Sequence, residues 1–148
     1  MKYKTWPSLA VMFLEQAEAN GDKPLLWRKR GDAYAPLSWA EVRDRVSALS
    51  RGLRALGIEP GDRVALVSEN RPEWTIADLA IMAAGAITVP AYATNTTADH
   101  LHILRDSGAK AAIVSTARLA ERLMAAAVEA GDVAHVITME PPGGTPPV

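Results

Sequence analysis

Apolar positions along this chain follow two different rhythms. The first third carries helical spacing interrupted by one short alternating stretch, and the remainder alternates brief apolar runs with helical stripes. The clearest stripe is Trp39, Val42, Val46, Leu49, Leu53 and Leu56, which recur in steps of three and four and so lie along one side of a helix. Ser38 and Glu41 precede it in the S-x-x-E relation of a capping box, in which each side chain accepts from a free backbone N–H, and Leu37 is placed to pack on Val42. With Gly57 as the stop, the pattern predicts a helix over 38–56. Before it, Leu9, Met12, Phe13 and Ala17 predict an amphipathic helix that Asn20-Gly21 ends in the left-handed conformation. Between the two, segments 25–28 and 33–37 flank Gly31-Asp32 and predict a short antiparallel hairpin.

From Pro60-Gly61 onward strands are predicted at 64–67, 86–89, 111–114 and 134–138, with helices at 72–84, 97–107 and 116–130 between them. These form three consecutive βαβ units. Each strand is an apolar run without period-2 alternation, as expected of strands covered on both faces, and Gly85, Gly108 and Gly131 end the helices. The helix over 72–84 is apolar nearly all round, so it must be buried on more than one side. The predicted fold class is α/β: a mainly parallel sheet flanked by helices, with an N-terminal helix and a short antiparallel hairpin. Residues 1–139 make one α/β subdomain. Residues 140–148, rich in proline and glycine, read as a linker into a further domain or as a disordered tail.

Composition narrows the function classes. The 148 residues are 49% hydrophobic, enough for a real core. Sixteen basic and seventeen acidic residues, scattered without runs, leave no footprint for nucleic acid. Cysteine is absent, which removes disulfides, thiolate metal sites and thiol nucleophiles and suits a reducing cytoplasm. The most apolar stretch, 76–89, contains Asp78 and is shorter than the ~20 residues of a spanning helix, so no transmembrane segment is predicted. Glu15 and Gln16 interrupt any secretory signal, so the mature chain is expected to begin at Met1.

Open parallel sheets gather chemistry beyond the C-terminal ends of their strands. That rule selects Ser68, Glu69 and Asn70, then Tyr92, Thr94, Asn95 and Thr96, then Ser115 and Thr116, and finally Glu140. Asn70, Thr96 (with Asp99) and Thr116 also stand where helix caps belong, which is the plainer reading for them. Tyr92, Thr94 and Asn95 exceed what a cap requires and are the candidate substrate-binding residues. Neither G-x-x-x-x-G-K-[ST] nor G-x-G-x-x-G occurs. His100 and His102 are two apart on a predicted helix and point in different directions, so they cannot make an i, i+4 zinc pair. His102 and Asp106 have the spacing of an exposed ion pair, and His135 falls in a strand. No catalytic, cofactor-binding or metal-binding residue is assigned.

The segments LSWAEV, LRALGIEPGDRVAL, ENRPEW, AAGAITVPAY, TNT and DSGAK follow one another in an order that resembles the N-terminal region of the AMP-forming acyl-CoA synthetases. PAYATNT and ILRDSGAK look most like the long-chain fatty-acid branch. The resemblance implies a ligase that joins a carboxylic acid to ATP as an acyl-adenylate and then forms a thioester with coenzyme A. It implies ATP, Mg²⁺ and CoA as cofactors of the complete enzyme and none for this chain alone, because the phosphate loop and later motifs have no counterpart before Val148. The partners implied are the remaining catalytic part of the same enzyme and a fatty acid. A subdomain that leaves an apolar face uncovered is expected to form a homodimer, in a cytoplasmic setting or peripheral to the membrane. A stand-alone, non-catalytic interaction module is the alternative, and a free-standing nucleotide-binding domain the third.

The capping box carries a direct expectation. Ser38→Ala should lower stability by roughly 1 kcal/mol, read as a shift in the urea midpoint; an unchanged midpoint would refute the cap.

Overall fold

The computed structural model describes residues 4–140. Helix α1 (Leu9–Asn20) leads into a hairpin of β1 (Pro24–Arg30) and β2 (Ala33–Ser38), then helix α2 (Trp39–Ala55). There follow β3 (Arg63–Val67), α3 (Pro72–Ala83), β4 (Ile87–Ala91), α4 (Thr97–Ser107), β5 (Ala111–Val114), α5 (Ala117–Ala130) and β6 (His135–Thr138). The strands β3 to β6 form one parallel sheet in the order β4-β3-β5-β6. The α/β architecture expected from the sequence is present. The proline-rich tail expected at 140–148 lies, from 141 on, outside the described residues.

Alternation along the two central strands divides the core. Val64, Leu66, Ala111 and Ile113 pack with Leu53 of α2 and Ala77 and Ile81 of α3. Ala65, Val67, Ala112 and Val114 pack with Leu104 of α4 and Leu119 and Leu123 of α5. Both sets are buried, which is why these strands read as unbroken apolar runs. A third cluster joins Phe13 and Ala17 of α1, Val42 and Val46 of α2, and Ile76 and Ala80 of α3. Helix α3 therefore faces two clusters, as its all-round apolar character requires.

Local chemistry sets the joints. Ser38 Oγ accepts from the Glu41 N–H at 3.1 Å, and the Glu41 carboxylate accepts from the Ser38 N–H at 2.7 Å, while Leu37 and Val42 share a cluster. In the hairpin Arg30 pairs with Ala33, leaving a two-residue turn in which Gly31 has φ 58° and Asp32 is not left-handed. That is the arrangement of a type II′ turn. The exit of α2 differs from expectation: Leu56 is 42% exposed, and Ile58 is buried in its place. The Ile58 N–H donates to Leu53 O at 3.1 Å and the Gly57 N–H to Arg54 O at 3.0 Å, a Schellman motif whose apolar contact falls to the residue after the glycine. The exit of α3 repeats it, with Ala86 N–H to Ile81 O and Gly85 N–H to Met82 O. For the same reason β4 starts at Ile87 rather than at Ala86.

Two further expectations are corrected by position in the sheet. β4 is an edge strand, not one covered on both faces: Ile87 is 53% exposed, and Pro90, which has no N–H to donate, fits an edge. Along β6 the residues are only half-buried. At the other end of the chain Leu9 is exposed, because the face of α1 that meets α2 and α3 carries Ala10, Phe13 and Ala17.

The Pro60-Gly61-Asp62-Arg63 turn ties the N-terminal ends of three strands. Arg63 Nε donates to Ser107 O at 2.6 Å, Nη2 to Gly108 O at 3.0 Å and Nη1 to Gly61 O at 3.3 Å, so the guanidinium closes the C-terminus of α4. The backbone of the same turn receives Ile87 N–H at Asp62 O and Lys110 N–H at Arg63 O. Arg63→Met should therefore cost roughly 2 kcal/mol, the scale of lost hydrogen bonds from a charged donor, measured by urea unfolding; a loss below a few tenths would show the clamp to be idle.

Candidate functional site

β3 and β5 are neighbours, yet the chain leaves β3 toward β4 and leaves β5 toward β6. The loops therefore diverge and open a crevice at the C-terminal ends of the strands. Its floor is Ser115, fully buried, whose hydroxyl donates to Glu69 Oε2 at 2.5 Å. That hydrogen bond holds the Glu69 carboxyl below its ordinary range; its own backbone N–H and the guanidinium groups of Arg71 and Arg118 add to the effect, and partial burial opposes it.

The wall is a chain of alternating charges. Arg28 on β1 pairs with Glu73 Oε1, Arg71 Nε donates to Glu73 Oε2 at 2.9 Å, and Arg71 Nη1 donates to Glu140 Oε1 at 2.6 Å. The relay joins the hairpin, the start of α3 and Glu140, two residues after β6. Burial pushes the Arg28 guanidinium below its usual pKa, and the nearby Arg45, Arg30 and Arg71 push the same way; it remains charged. Between hairpin and sheet lies a cleft of about 900 Å³ whose lining includes Trp27, Tyr34, Trp74, Asn70 and Thr116 besides the charged relay.

Of the residues selected from sequence, Glu69, Asn70, Thr116 and Glu140 line this cleft, and Ser115 supports Glu69 from beneath. Thr116 is also the cap of α5, accepting from Leu119 N–H at 3.3 Å. Asn70 is not a cap: Arg71 holds that position for α3 without a side-chain bond, and Pro72 opens the helix. The cleft does not take in Tyr92, Thr94 or Asn95. Tyr92 is 80% exposed beyond the edge strand β4, and Asn95 N–H closes a turn on Tyr92 O at 3.1 Å. Thr96 and Asp99 form the capping box of α4, and the Thr96 N–H and hydroxyl lower the Asp99 pKa.

The relay was not readable from sequence, because Arg28 and Glu73 are 45 residues apart and Arg71 and Glu140 are 69 apart. His102 and Asp106 are both exposed and make no ion pair among the described residues, contrary to their spacing. His135 sits half-buried on the edge strand β6. His100 is 1% exposed, and its Nε2 has no hydrogen-bond partner among the described residues. Its place four residues before buried Leu104 was the available signal. Among the described residues no cluster of three His, Cys, Asp or Glu side chains could hold a metal, and no helix is long and apolar enough to cross a membrane.

Comparison with known proteins adds a family. The chain matches the AMP-binding enzyme family over residues 13–145. It is 35% identical over 102 residues to the long-chain-fatty-acid–CoA ligase FadD15 of Mycobacterium tuberculosis, an alignment covering 69% of this chain and 17% of that protein. It is 39% identical over 100 residues to a feruloyl-CoA synthase of Amycolatopsis, covering 68% of this chain and 20% of that one. Among solved structures, a long-chain-fatty-acid–CoA ligase of Archaeoglobus fulgidus superposes with a TM-score of 0.81 at 22% identity, over 93% of this chain and 28% of that one. A fatty acyl CoA synthetase of Mycobacterium tuberculosis superposes at 0.74 with 26% identity, over 87% and 26%. The chain thus spans about a fifth or less of the length of these curated relatives.

His100 generates a pH prediction. Burial, with Arg122 adding and Asp99 opposing, lowers its pKa below 6.5, so the unfolded chain binds the proton more tightly. The resulting stability is complete above pH 6.5 and is lost as pH falls through the folded value. The urea midpoint should drop between pH 7.5 and 5, and His100→Gln should flatten that drop; an equal slope in both proteins would exonerate the histidine.

Proposed function

We propose, from the premise that this chain belongs to the AMP-binding enzyme family, that it is the N-terminal α/β part of an ATP-dependent long-chain fatty-acid–CoA ligase. The observation that carries the reading is the 35% identity to a long-chain-fatty-acid–CoA ligase over two thirds of the chain. In the proposed reaction a carboxylate oxygen of the fatty acid attacks the α-phosphorus of ATP, the bond to pyrophosphate breaks, and an acyl-adenylate remains. The thiol of coenzyme A then attacks the acyl carbon, AMP leaves, and the thiol proton passes to solvent. Such chemistry needs the triphosphate charge neutralised by Mg²⁺, a lysine and a cradle of backbone N–H groups.

This chain contributes support and shape to that site. Residues 1–139 buttress it as one subdomain, and 140–148 lead onward as the linker. ATP, Mg²⁺ and CoA belong to the complete enzyme, whose remaining part is the principal partner and covers apolar surface through which the isolated chain would form a homodimer. A cytoplasmic enzyme that meets its fatty acid at the membrane periphery fits the substrate's low solubility. Tyr92 and Thr94, exposed in the loop after β4, and half-buried Asn95 beside them are proposed to face the acyl chain.

Two measurements test the reading. ATP–pyrophosphate exchange with a long-chain fatty acid should stay at background for this chain, and exchange well above blank would overturn its inactivity alone. In the complete enzyme Tyr92→Ala should change preference among acids of different length more than it changes KM for ATP. Equal effects on all acids would remove Tyr92 from the acyl site.

A further inference from the structure

The two faces of the hairpin are unlike. Residues in register across an antiparallel pair point to the same side, and that side alternates along each strand. Leu26 with Leu37 and Arg28 with Ala35 therefore share the inner face, where both leucines join the cluster of α1, α2 and α3 and Arg28 reaches Glu73. Trp27 with Pro36 and Lys29 with Tyr34 share the outer face, and all four are exposed, Trp27 at 55% and Tyr34 at 64%. A face turned to water is ordinarily polar. This one carries two aromatic rings, a proline and a single cation, with no carboxylate among them. Trp27, Lys29 and Tyr34 also line the cleft.

Charge around this face is one-sided. Within residues 24–38 the one acid is Asp32, in the turn, against Arg28, Lys29 and Arg30. Arg28 is paired with Glu73, whereas Lys29, Arg30 and Arg45 of α2 have no ion pair among the described residues. Arg45 and Arg30 stand close enough to Arg28 to act on its pKa. The nearby carboxylates of the cleft are engaged, Glu73 and Glu140 by the arginines and Glu69 by Ser115. An indole or a phenol joins an apolar body to a polar tip, and lysine and arginine carry their charge on apolar stems. That combination fits the boundary between acyl tails and headgroups, where tryptophan and tyrosine are enriched and anionic lipid attracts cations. A free phosphate would satisfy the cations and leave the rings in water.

We infer that the outer face of the hairpin is a membrane-docking surface, which lays Trp27 and Tyr34 at headgroup depth in an anionic lipid surface with Lys29 and Arg30 among the phosphates. The inference deepens the membrane-peripheral part of the reading above and rests on it. Lipid binding needs neither ATP nor a fatty acid, so its failure would leave the ligase chemistry standing, and an inactive ligase would leave the docking surface standing.

The test is flotation of this chain with vesicles of phosphatidylcholine, alone or mixed with phosphatidylglycerol. Docking predicts retention on the mixed vesicles that weakens with added salt, and little on phosphatidylcholine alone. Lys29→Gln and Arg30→Gln should each lower the apparent affinity roughly fivefold, while Arg105→Gln and Lys110→Gln, which remove the same charge outside the hairpin, should not. Trp27→Ser with Tyr34→Ser, both on the exposed face, should also release the chain, with an unchanged urea midpoint to show that it stays folded. No retention on the mixed vesicles would overturn the proposal, as would retention that survives loss of both rings. So would a dimer of the parent that the Trp27 and Tyr34 substitutions abolish, since the face would then belong to a second copy of the chain.

Discussion

Burial of β3 on both faces is the constraint from which the rest of the structure follows. A five-residue strand with no polar face must be covered from two sides and paired at two edges. It receives α2 and α3 above, α4 and α5 below, and β4 and β5 alongside. Helix α3 has to be apolar all round because the strand needs it on one side and α1 needs it on the other. The charged residue that opens the strand, Arg63, is kept at the rim, where its guanidinium finds the free carbonyls at the end of α4. Apolar burial sets the layers, and one cation sets how their ends meet.

Much of this was legible in residue order because the signals are local. The Ser38/Glu41 and Thr96/Asp99 boxes, the Gly31-Asp32 turn and the glycines after each helix state their conformations within four residues. What failed to be legible was decided by distant neighbours. Whether β4 would be central or an edge depended on which strand β3 chose to flank, and Leu56 and Ile58 are equally apolar until the helix exit assigns one of them to the core. That Glu69, Asn70, Thr116 and Glu140 lie at strand ends was legible, and they line one cleft, from which Tyr92, Thr94 and Asn95 stand apart. The order of the charges around that cleft was not legible, since the pairing of Arg28, Glu73, Arg71 and Glu140 requires three segments to be folded first.

That relay also qualifies what the crevice can do by itself. Part-buried guanidinium groups are costly to leave unpaired, and here each carboxylate that neutralises one also occupies its donors. The result is a wall of paired charges, beside which Lys29 lines the cleft without an ion pair among the described residues. Such a relay holds the hairpin, the start of α3 and the chain after β6 in register.

The two Schellman exits lie on the opposite rim, and they lean on each other: a Cβ at Gly85 would come within 3.2 Å of Pro60 Cβ, so the turn after α2 and the turn after α3 are packed into one unit. Backbone hydrogen bonds thereby fasten one end of the sheet. The other end, with the loops at 68–71, 92–96 and 115–116, is tied by side chains: Arg71 to Glu73 and Glu140, Ser115 to Glu69, and the Thr96 and Thr116 caps. Backbone turns thus fasten one pole of the sheet, and side-chain charges fasten the other.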